Sequence, residues 1–128
     1  MKYLGIDYGD SKVGLAIGDS ASGLALPYKI LANRGAKGLL LEIKNICQQE
    51  KINQIIVGVP FNTQAKTATP AEKKVRDFIQ ALQAAVALPI SEQSEIFSTK
   101  AAQKLSPGKR DDDLAAMLIL QSYLDKDR

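Results

Sequence analysis

Leu4-Gly5-Ile6-Asp7-Tyr8-Gly9, followed two residues later by Lys12-Val13-Gly14-Leu15-Ala16-Ile17-Gly18-Asp19, is the stretch on which the fold turns. Both segments have the apolar character of strands, and Gly9-Asp10-Ser11 between them is turn chemistry. They read as two strands, residues 2–8 and 12–18, with Val13, Leu15 and Ile17 on one face. Asp7 stands in the first strand among residues suited to burial. A carboxylate there is costly unless a cation or hydrogen-bond donors share its site, so Asp7 is the first candidate functional residue.

Outward from this pair, residues 19–23 read as a loop and 25–31 as a third strand, placed near a sheet edge by Pro27. Three strands with short turns suggest an antiparallel meander. The period then changes. Leu39, Ile43 and Ile46 recur at helical spacing, which predicts an amphipathic helix over 36–50. Gln54-Ile55-Ile56-Val57-Gly58-Val59 is a nearly continuous apolar run ended by Pro60, as in a buried parallel strand. Residues 61–68 form a polar loop at its C-terminal end. Thr69-Pro70-Ala71-Glu72 starts a second helix: Thr caps, Pro takes the first helical position and Glu completes a capping box. Val75, Phe78, Ile79 and Leu82 make its apolar face. A fifth strand runs from Leu88 to near Glu95, a short helix spans 98–105, and a last helix spans 111–125. Its segment 114–120 is apolar enough to be buried almost all round. This order predicts an α/β fold of the RNase H-like kind: a mixed five-stranded sheet, three antiparallel strands then parallel strands, with helices on both faces.

The chain has 128 residues, the size of one domain with one core, so 1–128 is read as a single unit. Net charge is +3 and pI about 9.0, which permits a polyanionic partner without requiring one. The single Cys47 cannot form an internal disulfide; it lies on an apolar helix face and reads as a core residue in a reduced, cytoplasmic protein. The apolar run before Asp7 is too short for a signal peptide, and no run approaches the ~18 apolar residues of a membrane span. There is no histidine. That excludes Ser-His-Asp and Cys-His catalysis and the commonest zinc ligand. Metal chemistry must then use oxygen ligands, which suit Mg²⁺ or Mn²⁺.

Three acidic positions from distant segments can converge in this topology: Asp7 on the central strand, Glu95 just past the last strand, and Asp111-Asp112-Asp113 opening the last helix. Phosphodiester hydrolysis by two divalent ions about 4 Å apart needs such a cluster. Each position also has a plain structural reading. Asp7 can bond backbone amides near a turn, Glu95 can be solvated, and acidic residues in a first helical turn offset the macrodipole. Successive helical residues point about 100° apart, so at most one or two of the Asp run share an ion. Gly58-Val59-Pro60-Phe61-Asn62 lies where open α/β sheets put ligands, or simply ends a strand. Lys66, Lys73, Lys74 and Arg76 suit phosphate contact or a solvated face equally, and Lys109 and Arg110 balance the adjacent acidic run. The opening hairpin with one Asp is shared by RNase H-like nucleases and by kinases and ATPases of the hexokinase and actin type. The latter need two such domains around a nucleotide, and this chain has one and no P-loop.

Taken in order, Gly-Ile-Asp-Tyr-Gly, Lys-Val-Gly-Leu-Ala-Ile, Val-Gly-Val-Pro, Phe97-Ser98-Thr99 with Ala101 or Ala102, and Asp112 to Leu124 resemble the YqgF/RuvX family, small bacterial relatives of the Holliday junction resolvase RuvC. The resemblance implies an RNase H-like fold and a metal-dependent nuclease using Mg²⁺ or Mn²⁺. Its implied substrates are the 5′ end of pre-16S ribosomal RNA or, in an older proposal, branched DNA. By matching motifs the acidic residues carried over are Asp7, Glu95 and Asp112, with Asp113 as a neighbouring metal ligand. Ser94-Glu95-Ile96 departs from the family's usual Asp-Glu-Arg, and Asn62-Thr63-Gln64 from its usual Asp-Gly. The lost Asp and Arg leave a second reading, a nucleic-acid-binding ribosome assembly factor without catalysis. The chain is expected to be a monomer or homodimer; junction cleavage would need a symmetric dimer with two sites.

Overall fold

The computed structural model describes residues 1–60, 69–94 and 112–126, with Asp112 and Asp113 described in backbone only. The elements are β1 (Lys2–Asp7), β2 (Lys12–Asp19), β3 (Leu24–Ala32), α1 (Ala36–Gln49), β4 (Gln54–Val59), α2 (Pro70–Ala85), β5 (Ile90–Ser94) and α3 (Asp112–Asp125). The five strands form one sheet in the order β3-β2-β1-β4-β5. β1, β2 and β3 are antiparallel neighbours; β4 runs parallel to β1, and β5 parallel to β4. The expected mixed sheet is therefore present, with Asp7 at the C-terminal end of its central strand. The expected loop 61–68, the short helix 98–105 and Glu95 lie outside the described residues.

Period-2 alternation sorts the strand residues between two layers. Leu4 and Ile6 of β1, Val13 and Leu15 of β2, and Ile55, Val57 and Val59 of β4 join one aliphatic cluster. That cluster is closed by Leu39, Ile43, Ile46 and Cys47 of α1 and by Val75, Phe78, Ile79 and Leu82 of α2. Tyr3, Ala16, Ala25 and Ile56 face the other way and pack with Ala116, Ile119, Leu120 and Leu124 of α3. Helices thus cover both faces.

Local chemistry accounts for several boundaries. Thr69 Oγ1 accepts from the Glu72 amide at 3.2 Å and Pro70 occupies the first turn of α2, while the Glu72 carboxylate takes Arg76 Nε at 2.9 Å. β3 is an edge strand, as Pro27 requires. A bulge falls beside that proline: Pro27 pairs with Ala16 and Lys29 with Leu15, leaving Tyr28 unopposed. β2 extends one residue and β3 one residue at each end beyond the expected spans, because Asp19 pairs with both Lys2 and Leu24, and Lys12 with Ala32.

One expectation needs correction. Segment 114–120 is not buried all round: Ala116, Ile119 and Leu120 are buried, whereas Leu114, Ala115, Met117 and Leu118 are half-buried. Among the described residues α3 is the only helix on its face, so only its inner stripe is fully covered. No helix among the described residues is long and apolar enough to cross a membrane.

Candidate active site at the end of the central strand

Alternation along β1 places Asp7, like Tyr3 and Gly5, on the face covered by α3. The glycine two positions before it has a steric role. A Cβ at Gly5 would lie 2.8 Å from Leu120 Cβ and 3.1 Å from the Ala116 carbonyl oxygen, and one at Gly18 would lie 3.0 Å from both Leu120 Cδ2 and Leu124 Cδ1. Two glycines therefore let α3 sit against the backbone of β1 and β2. The helix runs opposite to β1: Tyr123 meets Tyr3 edge-on at 5.7 Å between ring centres, and Ala116 and Leu120 lie over Gly5. Two more strand residues advance about 6.6 Å, and four helical residues about 6 Å. The N-terminal end of α3 therefore points toward the Asp7 end of β1.

A second alignment runs across the sheet. Asp7 pairs with Gly14 of β2. On its other side Ile6 pairs with Val57, so Asp7 falls beside Gly58, and Gly58 pairs with Gln93 of β5. Asp7 is thus flanked by two residues without side chains, with Gln93 next in the row on the same face. Asp7 is half-buried. Gln93 is only 8% exposed, and its Oε1 has no hydrogen-bond partner among the described residues. Native proteins rarely leave a buried acceptor orphaned.

The hairpin turn beside Asp7 is fixed by features the sequence reading missed. A Cβ at Gly9 would lie 2.5 Å from the Lys12 carbonyl oxygen, so only glycine fits. Asn33 Nδ2 donates to the Gly9 carbonyl at 2.8 Å, and the Asn33 amide to the Ser11 carbonyl at 2.8 Å. Asn33 thereby ties the β3–α1 connection to the turn and brings Arg34 to this end of the molecule. Arg34 and Lys12 are exposed, and neither forms an ion pair among the described residues. Lys12 lies two residues before Gly14, hence on the Asp7 face.

The cations singled out from sequence are differently placed. Lys74 reaches Asp10 at 3.2 Å. Arg76 bonds Glu72 at 2.9 Å and Glu92 at 3.0 Å; the Glu72 hydrogen bond first, then Glu92, hold its guanidinium charged. Lys73 is exposed, and Lys66, Lys109 and Arg110 lie outside the described residues. Tyr8 stacks on Phe78 at 4.5 Å, on the α2 side of β1. The cleft of about 270 Å³ bounded by Tyr8, Asp10, Pro60 and Lys74 is on that side too, across the strand from Asp7. Cys47 is buried at α1, and burial pushes its thiol up to about 11, so it is a protonated core group and not a nucleophile.

Of the expected metal ligands, Asp7 is described with its side chain, Asp112 and Asp113 by backbone alone, and Glu95 lies outside the described residues. Among the described residues no three His, Cys, Asp or Glu side chains gather. The donor chemistry nonetheless fits a hard divalent ion: a carboxylate at Asp7 and an unsatisfied amide oxygen at Gln93 in the same row, in a chain without histidine.

The fold, a mixed five-stranded sheet with helices on both faces, is that of the RNase H-like class. The chain belongs to the RuvX family, described as Holliday junction resolvase, whose model matches residues 1–126. It is 32% identical over 134 aligned positions to the "Putative pre-16S rRNA nuclease" of Syntrophomonas wolfei, covering 98% of this chain and 94% of that one. It is 35% identical to the protein of the same name from Clostridium tetani, covering 98% and 96%. Its fold matches T. thermophilus RuvC, solved in complex with a Holliday junction substrate, with a TM-score of 0.63 at 16% identity, covering 99% of this chain and 95% of that one.

Proposed function

We propose that residues 1–128 form one domain, a cytoplasmic, divalent-metal-dependent endonuclease that trims the 5′ end of precursor 16S ribosomal RNA. The observation that carries this is the position of Asp7: a half-buried carboxylate at the end of the central strand, on the face that α3 covers. The RNA substrate is inferred from the names of the curated relatives.

Phosphodiester hydrolysis needs a water attacking in line with the leaving oxygen and stabilisation of the negative charge that develops on phosphorus. Asp7, Glu95 and Asp112, with Asp113 beside them, would hold Mg²⁺ or Mn²⁺, which when bound supplies Lewis-acid stabilisation and lowers the pKa of water. The chain's own residues do the rest. Asp7 is held by a central strand and cannot shift without disturbing two neighbours. Gly14 and Gly58 flank it without side chains of their own. Lys12 and Arg34 offer charge to flanking phosphates.

The test is Asp7→Asn, assayed on a pre-16S 5′ leader RNA and on a four-way DNA junction with Mg²⁺ and with Mn²⁺. Cleavage should fall about 100-fold or more with the fold retained by circular dichroism. Undiminished cleavage refutes the assignment. Cleavage of the junction in preference to the leader turns the reading to recombination. The substitution of Ser94 and Ile96 where the family usually has Asp and Arg favours the non-catalytic alternative. Wild-type protein that binds the leader and neither cleaves it nor takes up Mn²⁺ would establish that alternative.

A further inference from the structure

Gln93 is the one buried polar side chain of the described residues left with an unsatisfied atom. Other glutamines of this chain show what the fold does with an amide it needs only for structure. Gln54 donates to Ser91 Oγ at 2.7 Å and to Tyr123 Oη at 3.2 Å. Gln121 Oε1 accepts from the Ala25 amide at 2.9 Å and its Nε2 donates to the Gly23 carbonyl at 2.8 Å. Both are half-buried and both are used. Gln93 is more deeply buried, and its carbonyl oxygen is not used.

Its place in the sheet says what the oxygen can face. Gln93 pairs with Gly58, Gly58 lies beside Asp7, and all three belong to the face under α3. Two strand spacings put the Cα atoms of Asp7 and Gln93 about 10 Å apart. Two short side chains and two metal–oxygen bonds of about 2.1 Å bridge such a gap. Gly58, between them, contributes no side chain to fill it. We propose that the Gln93 carbonyl oxygen is a ligand for a divalent cation seated over Gly58 and shared with Asp7. The proposal rests on the nuclease reading of the Asp7 site and deepens it. A neutral amide supplies the hard oxygen that Mg²⁺, Mn²⁺ or Ca²⁺ prefers without adding a second negative charge beside Asp7. It also gives the buried amide oxygen the partner it lacks among the described residues.

The experiment is calorimetric titration of Mn²⁺, without nucleic acid, into the full-length chain and into Gln93→Met, Gln93→Glu and Asp7→Asn, with melting temperatures taken in metal-free buffer. Gln93→Met keeps the volume and removes the orphaned amide. It should weaken Mn²⁺ binding about tenfold while raising the metal-free melting temperature, a split that a merely structural residue would not give. Gln93→Glu should tighten Mn²⁺ binding. If Asp7→Asn weakens Mn²⁺ binding and Gln93→Met does not, the inference about Gln93 is overturned and the nuclease reading stands. If wild-type protein binds no Mn²⁺, both fall. If Gln93→Glu leaves Mn²⁺ affinity unchanged but lowers affinity for duplex RNA, the amide instead presents its N–H to a phosphate, and the ligand role is overturned.

Discussion

The two faces of the sheet are built on different principles. Under α1 and α2 lies a deep aliphatic layer, in which Leu4, Ile6, Val13, Leu15, Ile43, Ile55, Val57, Val59 and Leu82 are all fully buried. Under α3 the layer is thin, because Gly5, Gly14, Gly18 and Gly58 take positions that would otherwise carry side chains toward the helix. The first face is filled with methyl groups and has no described carboxylate inside it. The second brings a helix close to bare backbone and sets Asp7 and Gln93 in one row across the sheet. The larger aliphatic cluster lies on one side of the sheet. The polar groups that cost stability are kept on the other, where a bound ion or phosphate can compensate them.

Substitutions on each face test that division. Asp7→Asn should have the largest effect on activity, about 100-fold or more, with little change in melting temperature. A large loss of stability instead would mean that Asp7 is structural. Leu82→Ala on the other face should do the reverse, destabilising by about 2–5 kcal/mol in urea denaturation while leaving Mn²⁺ affinity per folded molecule unchanged. Gly5→Ala joins the two effects: its Cβ would meet Leu120 Cβ at 2.8 Å, so α3 must shift. A cost of about 1–3 kcal/mol should accompany weaker cleavage, and loss of stability alone would show that the seat of α3 does not set the site. Lys12→Gln with Arg34→Gln should reduce the salt dependence of duplex RNA binding by about 0.7–0.9 in logarithmic slope for each phosphate no longer neutralised. The charge-matched pair Lys44→Gln with Lys51→Gln, toward the other end of α1, should leave it unchanged.

The smallest effect belongs to Cys47 of the aliphatic layer. Burial raises its pKa in the folded state to about 11. The folded protein therefore holds the thiol proton to higher pH than the unfolded chain. This contribution to stability is complete below the unfolded thiol pKa and is lost as pH rises toward about 11. Denaturation midpoints measured across that alkaline range should show a decline that Cys47→Ala lacks.

Much of this was readable without coordinates, and the reasons are local. The cap of α2 is announced by Thr69 and Pro70, whose effects extend over a single turn. β4 is announced by an apolar run that only a strand shielded on both faces can carry, and α1 by the spacing of Leu39, Ile43 and Ile46. Asp7 stood out because a carboxylate interrupts an apolar strand. Gln93 did not, since nothing within a few residues says that β5 buries that side chain; its burial depends on what packs over the sheet from elsewhere in the chain. Asn33 was silent for a similar reason, its partners Gly9 and Ser11 being set by the β2–β3 pairing. The half-exposed flank of α3 was misread because hydropathy reports what a segment tolerates, not how many neighbours arrive to cover it.

The amino-acid order by itself determined the kinds of element, their succession, the mixed sheet and the one carboxylate in the central strand, because propensity, period and capping act over a few residues. Tertiary structure alone decided that Gly14, Asp7, Gly58 and Gln93 form a single row beneath one helix. Those residues belong to four strands, and only the register of the hydrogen-bonded ladders brings them side by side.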